Sequence, residues 1–253
     1  MTHKFSSPIR AISLAIGAFC VASSALAVPT YGNIVSPPGV IFGSGNVNGN
    51  FTINTANNVE VALRARHRYS AFTLDGSDGT YNVEGGACGA LPCGGATSAF
   101  RAKWNYDFAV NVRTDGTGSA DLLAYEIELM VDTDPTTGVA WNTLNVVTNW
   151  GDNEFWNGTA RRKGTAVAPG PSPIAGEFAL QQSANPFFPN SGFGFVPADG
   201  LYDLKLSVYQ TVGTARLLRS SVTTQVQVPE PGSLALTAAA LAAALVVRRR
   251  RTA

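Results

Sequence analysis

The side chains in this sequence that could do chemistry are few and thinly spaced. Cys88 and Cys93 share a Gly- and Pro-rich stretch, Gly85-Gly-Ala-Cys88-Gly-Ala-Leu-Pro-Cys93-Gly-Gly95. Two thiols that close in an oxidising compartment read as a disulfide. A zinc site would want further Cys or His ligands, and after residue 27 only His67 is left to offer one. His67 lies in Arg64-Ala-Arg66-His67-Arg68, whose charges predict an exposed strand end more readily than a catalytic base. Paired carboxylates are the other route to an enzyme, and Asp107, Glu126, Glu128, Asp152 and Glu154 are the candidates. Glu126 and Glu128 fit the solvent face of a strand, and nothing in the sequence marks the others as buried. A secreted hydrolase therefore ranks third, behind two noncatalytic readings.

Binding chemistry has more to draw on. Asp132-Thr-Asp134-Pro-Thr136-Thr-Gly138 alternates oxygen ligands in a way that suits calcium, but it lacks the bidentate acid and glycine position of an EF-hand. The same residues more often make a turn in which Asp side chains bond their own backbone. Trp141, Trp150, Phe155 and Trp156 crowd a stretch rich in Asn, Thr and Gly. Trp150 and Trp156 exposed together would form a stacking platform for polysaccharide; the competing expectation is that these rings fill the core. Asn157-Gly-Thr159 matches a glycosylation acceptor. Arg161-Arg162-Lys163 reads as a solvated loop.

The elements that must position these groups have a period of two. Tyr125, Ile127, Leu129 and Val131 fall on one face of a strand with Glu126 and Glu128 opposite, and Tyr202, Leu204, Leu206 and Val208 repeat the pattern. So do Val222, Thr224, Val226 and Val228, and Phe51 to Ile53, Val59 to Ala65, Phe108 to Val112 and Leu144 to Val147 are further strands. Turn clusters separate them at 75–79, 114–118, 134–138 and 198–200. Half-polar strands joined by Gly/Asp turns predict an all-β fold. We expect an antiparallel β-sandwich over residues 28–227, with a barrel or jelly roll as alternatives. Gly164 to Gly176 is its one long loop.

Both ends of the chain differ from this middle. Lys4 and Arg10 precede an uncharged run, Ala11 to Ala25, and then Ala25-Leu-Ala27. Basic, apolar and small-x-small segments in that order predict a signal peptide over residues 1–27, cut by signal peptidase after Ala27. At the other end Pro229-Glu230-Pro231 leads into the apolar residues 232–247 and the cluster Arg248, Arg249, Arg250 and Arg251. As a helix, 232–247 would span about 24 Å of a hydrocarbon layer about 30 Å thick, a short crossing that arginine snorkelling can extend. Cations at both extremities predict that the middle lies outside the cell. Removing Lys4, Arg10 and Arg248 to Arg251 leaves 12 of 18 basic residues, and removing Glu230 leaves 16 of 17 acids, a net charge near −4 that does not invite nucleic acid.

The tripeptide, the apolar segment and the terminal arginines, residues 228–253, together resemble the PEP-CTERM sorting domain of exported bacterial proteins. That resemblance implies recognition by an exosortase, a membrane-embedded processing enzyme, cleavage near Pro229 to Pro231, and delivery to the cell surface or extracellular polysaccharide matrix. The stretches from Asn58 to Ala65, Trp104 to Val112 and Tyr125 to Pro135 are similar to an ectodomain that recurs among such proteins, which implies one continuous domain and no particular activity. The expectation is a noncatalytic, transiently membrane-anchored protein without a cofactor, or alternatively a polysaccharide-binding module.

Overall fold

The computed structural model describes residues 28–41, 44–68, 74–88, 101–116, 118–164, 172–195 and 197–229. The expected signal peptide with Ala25 and Ala27, Cys93, and the tail from Glu230 through the 232–247 segment to Arg248–Arg251 lie outside these residues. Among the described residues the regular structure is almost all strand. One four-residue helix, α1 (Val146–Asn149), and short 3-10 turns at Leu122–Ala124 and Ser44 are the exceptions.

Two sheets carry the twelve strands. The larger runs, in spatial order, β1 (Thr30–Gly32), β2 (Phe51–Ala56), β3 (Val59–His67), β5 (Trp104–Asn111), β10 (Ala179–Ala184), β8 (Glu154–Trp156) and β9 (Arg161–Lys163). The smaller runs β4 (Thr80–Asn82), β12 (Ala215–Val228), β11 (Gly200–Val212), β6 (Tyr125–Asp132) and β7 (Trp141–Asn145). β12 packs across β2 and β3, and β11 across β3, so the sheets lie face to face as the alternation requires. One pairing departs from the antiparallel expectation: β4 runs parallel to β12, with Val226 opposite Tyr81.

The core between the sheets follows the period of two. Val59, Val61, Leu63 and Ala65 from β3 and Trp104, Tyr106, Phe108 and Val110 from β5 meet Ile127, Leu129, Val131, Leu204, Leu206, Val208, Val222 and Val226 from the other sheet, all buried. Each large apolar side chain so enclosed stabilises the fold by about 1.5–3 kcal/mol relative to exposure. Pairing of β11 with β12 runs from Gly200 opposite Val228 to Val212 opposite Ala215, with an irregularity at Val208/Tyr209.

The other face of the larger sheet is also covered, and its residues are polar. Glu60, Ala62, Arg64 and Arg66 of β3 stand opposite Asn111, Ala109, Asp107 and Asn105 of β5, and Gln181 and Ser183 of β10 opposite Ala109 and Asp107. Over them runs the chain between β1 and β2, which packs Ile34 and Val40 onto Ile53, Ala62 and Ala109. Sheet side chains bind this strap by its backbone. Gln181 Oε1 accepts from the Ile41 N–H at 2.8 Å and its Nε2 donates to Gly39 O at 2.5 Å. Asn111 Nδ2 donates to Pro37 O, and Ser36 Oγ to Glu60 Oε2.

At the centre of that face, Asp107 Oδ2 receives Arg64 Nε at 2.8 Å and Arg66 Nε at 2.7 Å. Arg64 and Asp107 are both 0% exposed. Arg64 also reaches Val47 O and stacks on Phe51 at 3.9 Å from the ring centroid; Arg66 reaches Gly45 O. This corrects two expectations. Arg64 and Arg66 are buried strand-interior residues, and among the candidate acids Asp107 and Glu154 are buried. The physical reason is the strap: it supplies carbonyl acceptors that make a buried guanidinium tolerable where a bare sheet face could not.

Candidate functional site

The chain leaves the sandwich at the end of β12. Two neighbours grip the last residues of β12: Val228 and Gln227 pair with Gly200 and Leu201 of β11 on one side. On the other, Gln227 pairs with Asn82 of β4, and the Val83 N–H extends that parallel pairing by donating to Gln227 O at 3.0 Å. Val228 is 2% exposed and the next residue, Pro229, is exposed. Having no N–H, Pro229 cannot continue the ladder, so the strand stops there. The exit also needs room. A Cβ at Gly85 would sit 3.0 Å from Val228 Cγ1 and 3.4 Å from Pro229 O; a side chain at 85 would press on the departing chain.

The remaining candidates are spread over the molecule. Asp132 is buried at the end of β6, and its Oδ1 accepts from the N–H groups of Asp134 at 3.0 Å and Ala140 at 2.8 Å. Asp134 Oδ1 accepts from Thr136 N. These oxygens serve the turn that carries β6 into β7. Among the described residues no group of three or more Cys, His, Asp or Glu is placed to hold a metal.

Trp150 and Trp156 do not form a shared platform. Trp150 is 3% exposed and packs on Phe108 with ring centroids 5.2 Å apart. The inward path is fixed by Asn153, whose Nδ2 donates to the carbonyls of Val146 and Trp150 and folds the segment after α1 over the sandwich edge. Trp156 is half-buried against the core margin, and Trp141 is the more exposed indole, on β7.

The candidate acids for hydrolysis have structural partners. Asp107 holds Arg64 and Arg66. Glu126 and Glu128 share Arg216 at 2.7 and 2.6 Å, Asp152 accepts from Gln182 Nε2, and Glu154 lies 3.7 Å from Lys163. His67 is half-buried at the end of β3, opposite Trp104. Cys88 is buried, with its N–H donating to Arg101 O.

Sequence reasoning missed the strap-binding set of Gln181, Asn111, Glu60, Arg64 and Arg66. A signal was present: Ala62 and Ala109, small residues at facing positions between polar ones, leave space that something must occupy.

An open groove of about 420 Å³ lies beside the start of β6, lined by Leu123, Tyr125, Glu126, Asn145, Val147 and Thr148 among others. Burial raises the Tyr125 hydroxyl above its ordinary value, opposed by nearby Arg219.

Residues 227–251 match the family described as the PEP-CTERM protein-sorting motif. The match begins inside the fold, because Gln227 and Val228 are the last residues of β12. The chain therefore carries a sorting motif of the kind that marks exported proteins for an exosortase. A search among curated proteins finds none that matches the chain.

Proposed function

We propose that this is a noncatalytic protein of the cell envelope or extracellular matrix, exported across the inner membrane behind a leader at residues 1–27 and processed by an exosortase at Pro229–Glu230–Pro231. In this reading residues 232–247 hold it in the membrane transiently, with Arg248–Arg251 on the inner side, before it reaches the surface. The observation that carries the reading is the junction: the matched motif starts at Gln227, two residues before β12 gives way to Pro229. Three extended residues reach at most about 10 Å. An enzyme acting on the tripeptide therefore works close against the β4–β12–β11 end of the sandwich. A disulfide between Cys88 and Cys93 belongs to the same extracellular reading.

Support for a noncatalytic role comes from the acids themselves, since each candidate carboxylate is engaged in holding a strand, strap or loop. Mass spectrometry of the protein from cells with and without the processing enzyme is the test. A C-terminus shortened to the Pro229–Pro231 region only when the enzyme is present supports the reading, and an intact C-terminus in both removes it.

The groove at Tyr125 favours a second reading, a polysaccharide-binding module, because it sets one aromatic ring beside Asn145, Glu126 and Thr148 on an open surface. Glycan-array binding by the exported protein, lost in Tyr125→Ala, would support it.

A further inference from the structure

We propose that Asn157 is a glycan attachment site, modified on its side-chain nitrogen after export. The acceptor sequence Asn157-Gly158-Thr159 forms the turn between β8 and β9, at the outer margin of the larger sheet. All residues from Asn157 to Ala160 are exposed. The Asn157 N–H closes the hairpin on Ala160 O at 3.2 Å. Gly158 adopts φ +102°, and a Cβ there would stand 3.3 Å from the Phe178 ring, so the middle position of the turn suits glycine.

The Asn157 side chain is already arranged for the chemistry. Its Oδ1 accepts three hydrogen bonds, from the N–H groups of Thr159 at 3.0 Å and Ala160 at 2.8 Å and from Thr159 Oγ1 at 3.1 Å. Backbone N–H groups only donate, so the atom facing them is the oxygen and the nitrogen points away. Among the described residues Nδ2 has no hydrogen-bond partner. Three donors on Oδ1 stabilise negative charge on the carboxamide and so ease loss of a proton from Nδ2.

The donor that fits is an oligosaccharide carried on a polyprenyl diphosphate at the outer face of the membrane. Nδ2 gives a proton to a base of the transferase and attacks the anomeric carbon. The N–C bond forms as the bond from that carbon to the diphosphate oxygen breaks, and the lipid diphosphate leaves with the electron pair.

The chain holds an internal contrast. Asn50-Phe51-Thr52 has the same sequence pattern, but Phe51 is 0% and Thr52 6% exposed within β2, and the Thr52 hydroxyl bonds Tyr81 Oη at 3.1 Å. Sequence alone ranks the two alike; burial predicts modification at Asn157 and none at Asn50.

The inference rests on export, and the test separates the two. Peptide mass spectrometry of the protein recovered from its producing cells should show a glycan mass on the Asn157 peptide. Asn157→Gln and Thr159→Ala should lose it, Thr159→Ser should keep it because the hydroxyl remains, and Asn50→Gln should leave the total mass added unchanged. A chain with residues 1–27 removed and a bare Asn157 overturns the proposal while export stands. A chain with residues 1–27 still attached and Asn157 bare overturns both.

Discussion

On the inner face of the seven-stranded sheet, Val61, Leu63, Tyr106 and Phe108 meet the second sheet; on its outer face, Glu60, Arg64, Arg66 and Gln181 meet an irregular strap, with Asp107 between the two arginines. Both sets are buried, by different physics. Apolar contact is nondirectional, so the inner face needs only shape and volume. Hydrogen bonds to a strap backbone are directional, and each buried polar group left without its partner costs about 1–3 kcal/mol. The inner face can be repacked, whereas the outer face should fail when one member of a pair is removed.

The largest effects test that difference directly. Phe108→Ala should cost about 3–5 kcal/mol through the cavity it leaves. Asp107→Ala should cost a similar about 3–5 kcal/mol, because two guanidiniums lose the carboxylate between them. Combined replacements tell the faces apart: changing Arg64, Asp107 and Arg66 together to apolar residues of similar volume should recover most of the loss. Denaturant unfolding of these variants measures this, and an Asp107→Ala loss below about 1 kcal/mol would break the contrast.

Next in size is the strap alone. Gln181→Ala removes the acceptor for Ile41 N and the donor to Gly39 O, a loss of about 1–3 kcal/mol. Its signature is local: hydrogen exchange should speed up around Gly39 to Asn46 and stay slow in β11 and β12. Uniform acceleration would mean that the strap is not a separate unit.

The inner face was legible in the sequence because it is a local pattern. Tyr125, Ile127, Leu129 and Val131 announce a buried side within seven residues, and β6 and β11 were placed on the right faces for that reason. The outer face was not legible. Ile41 and Gln181 are 140 positions apart, and the strap has no periodicity to say which sheet it crosses. Arg64 and Arg66 beside His67 and Arg68 therefore read as a solvated strand end. Trp150 was open to two readings, and what sends it inward is Asn153 capping carbonyls of the preceding segment, a side-chain choice that composition does not encode. The sorting tail was the most legible site, since a linear motif carries its meaning in contiguous residues and needs no fold to assemble it.

A smaller effect separates the two faces by pH. Burial raises the Glu60 carboxyl above its ordinary 4.5, opposed by the hydrogen bond from Ser36. A raised carboxyl contributes stability that is complete below about its ordinary value and lost as pH rises through the raised one. Glu60→Gln keeps an oxygen for Ser36 and removes the titration. The stability difference between variant and wild type should therefore move in favour of the variant as pH climbs from that ordinary value toward neutrality. A difference that is flat with pH would place Glu60 in a solvated environment and remove it from the outer set.

The smallest expected effect uses the same chemistry in the opposite setting. Arg216 pairs with Glu126 at 2.7 Å and Glu128 at 2.6 Å on the solvent side of the smaller sheet, and lies 3.5 Å from the Tyr209 ring centroid. The hydrogen bonds it donates to Glu128 and Glu126 hold its guanidinium above its ordinary value. In number and length of contacts this triad rivals Arg64–Asp107–Arg66, and by geometry alone it should matter as much. Its Arg216 side chain is 40% exposed, however, against 0% for Arg64 and Asp107. Water solvates whatever is left when one member goes, so Arg216→Ala should cost less than about 1 kcal/mol and that loss should shrink as salt is added. Asp107→Ala should be nearly insensitive to salt, since the groups it strands are shut away from ions. Equal losses with equal salt dependence in the two variants would show that burial is not what divides these triads, and the contrast between the two faces of the larger sheet would lose its cause.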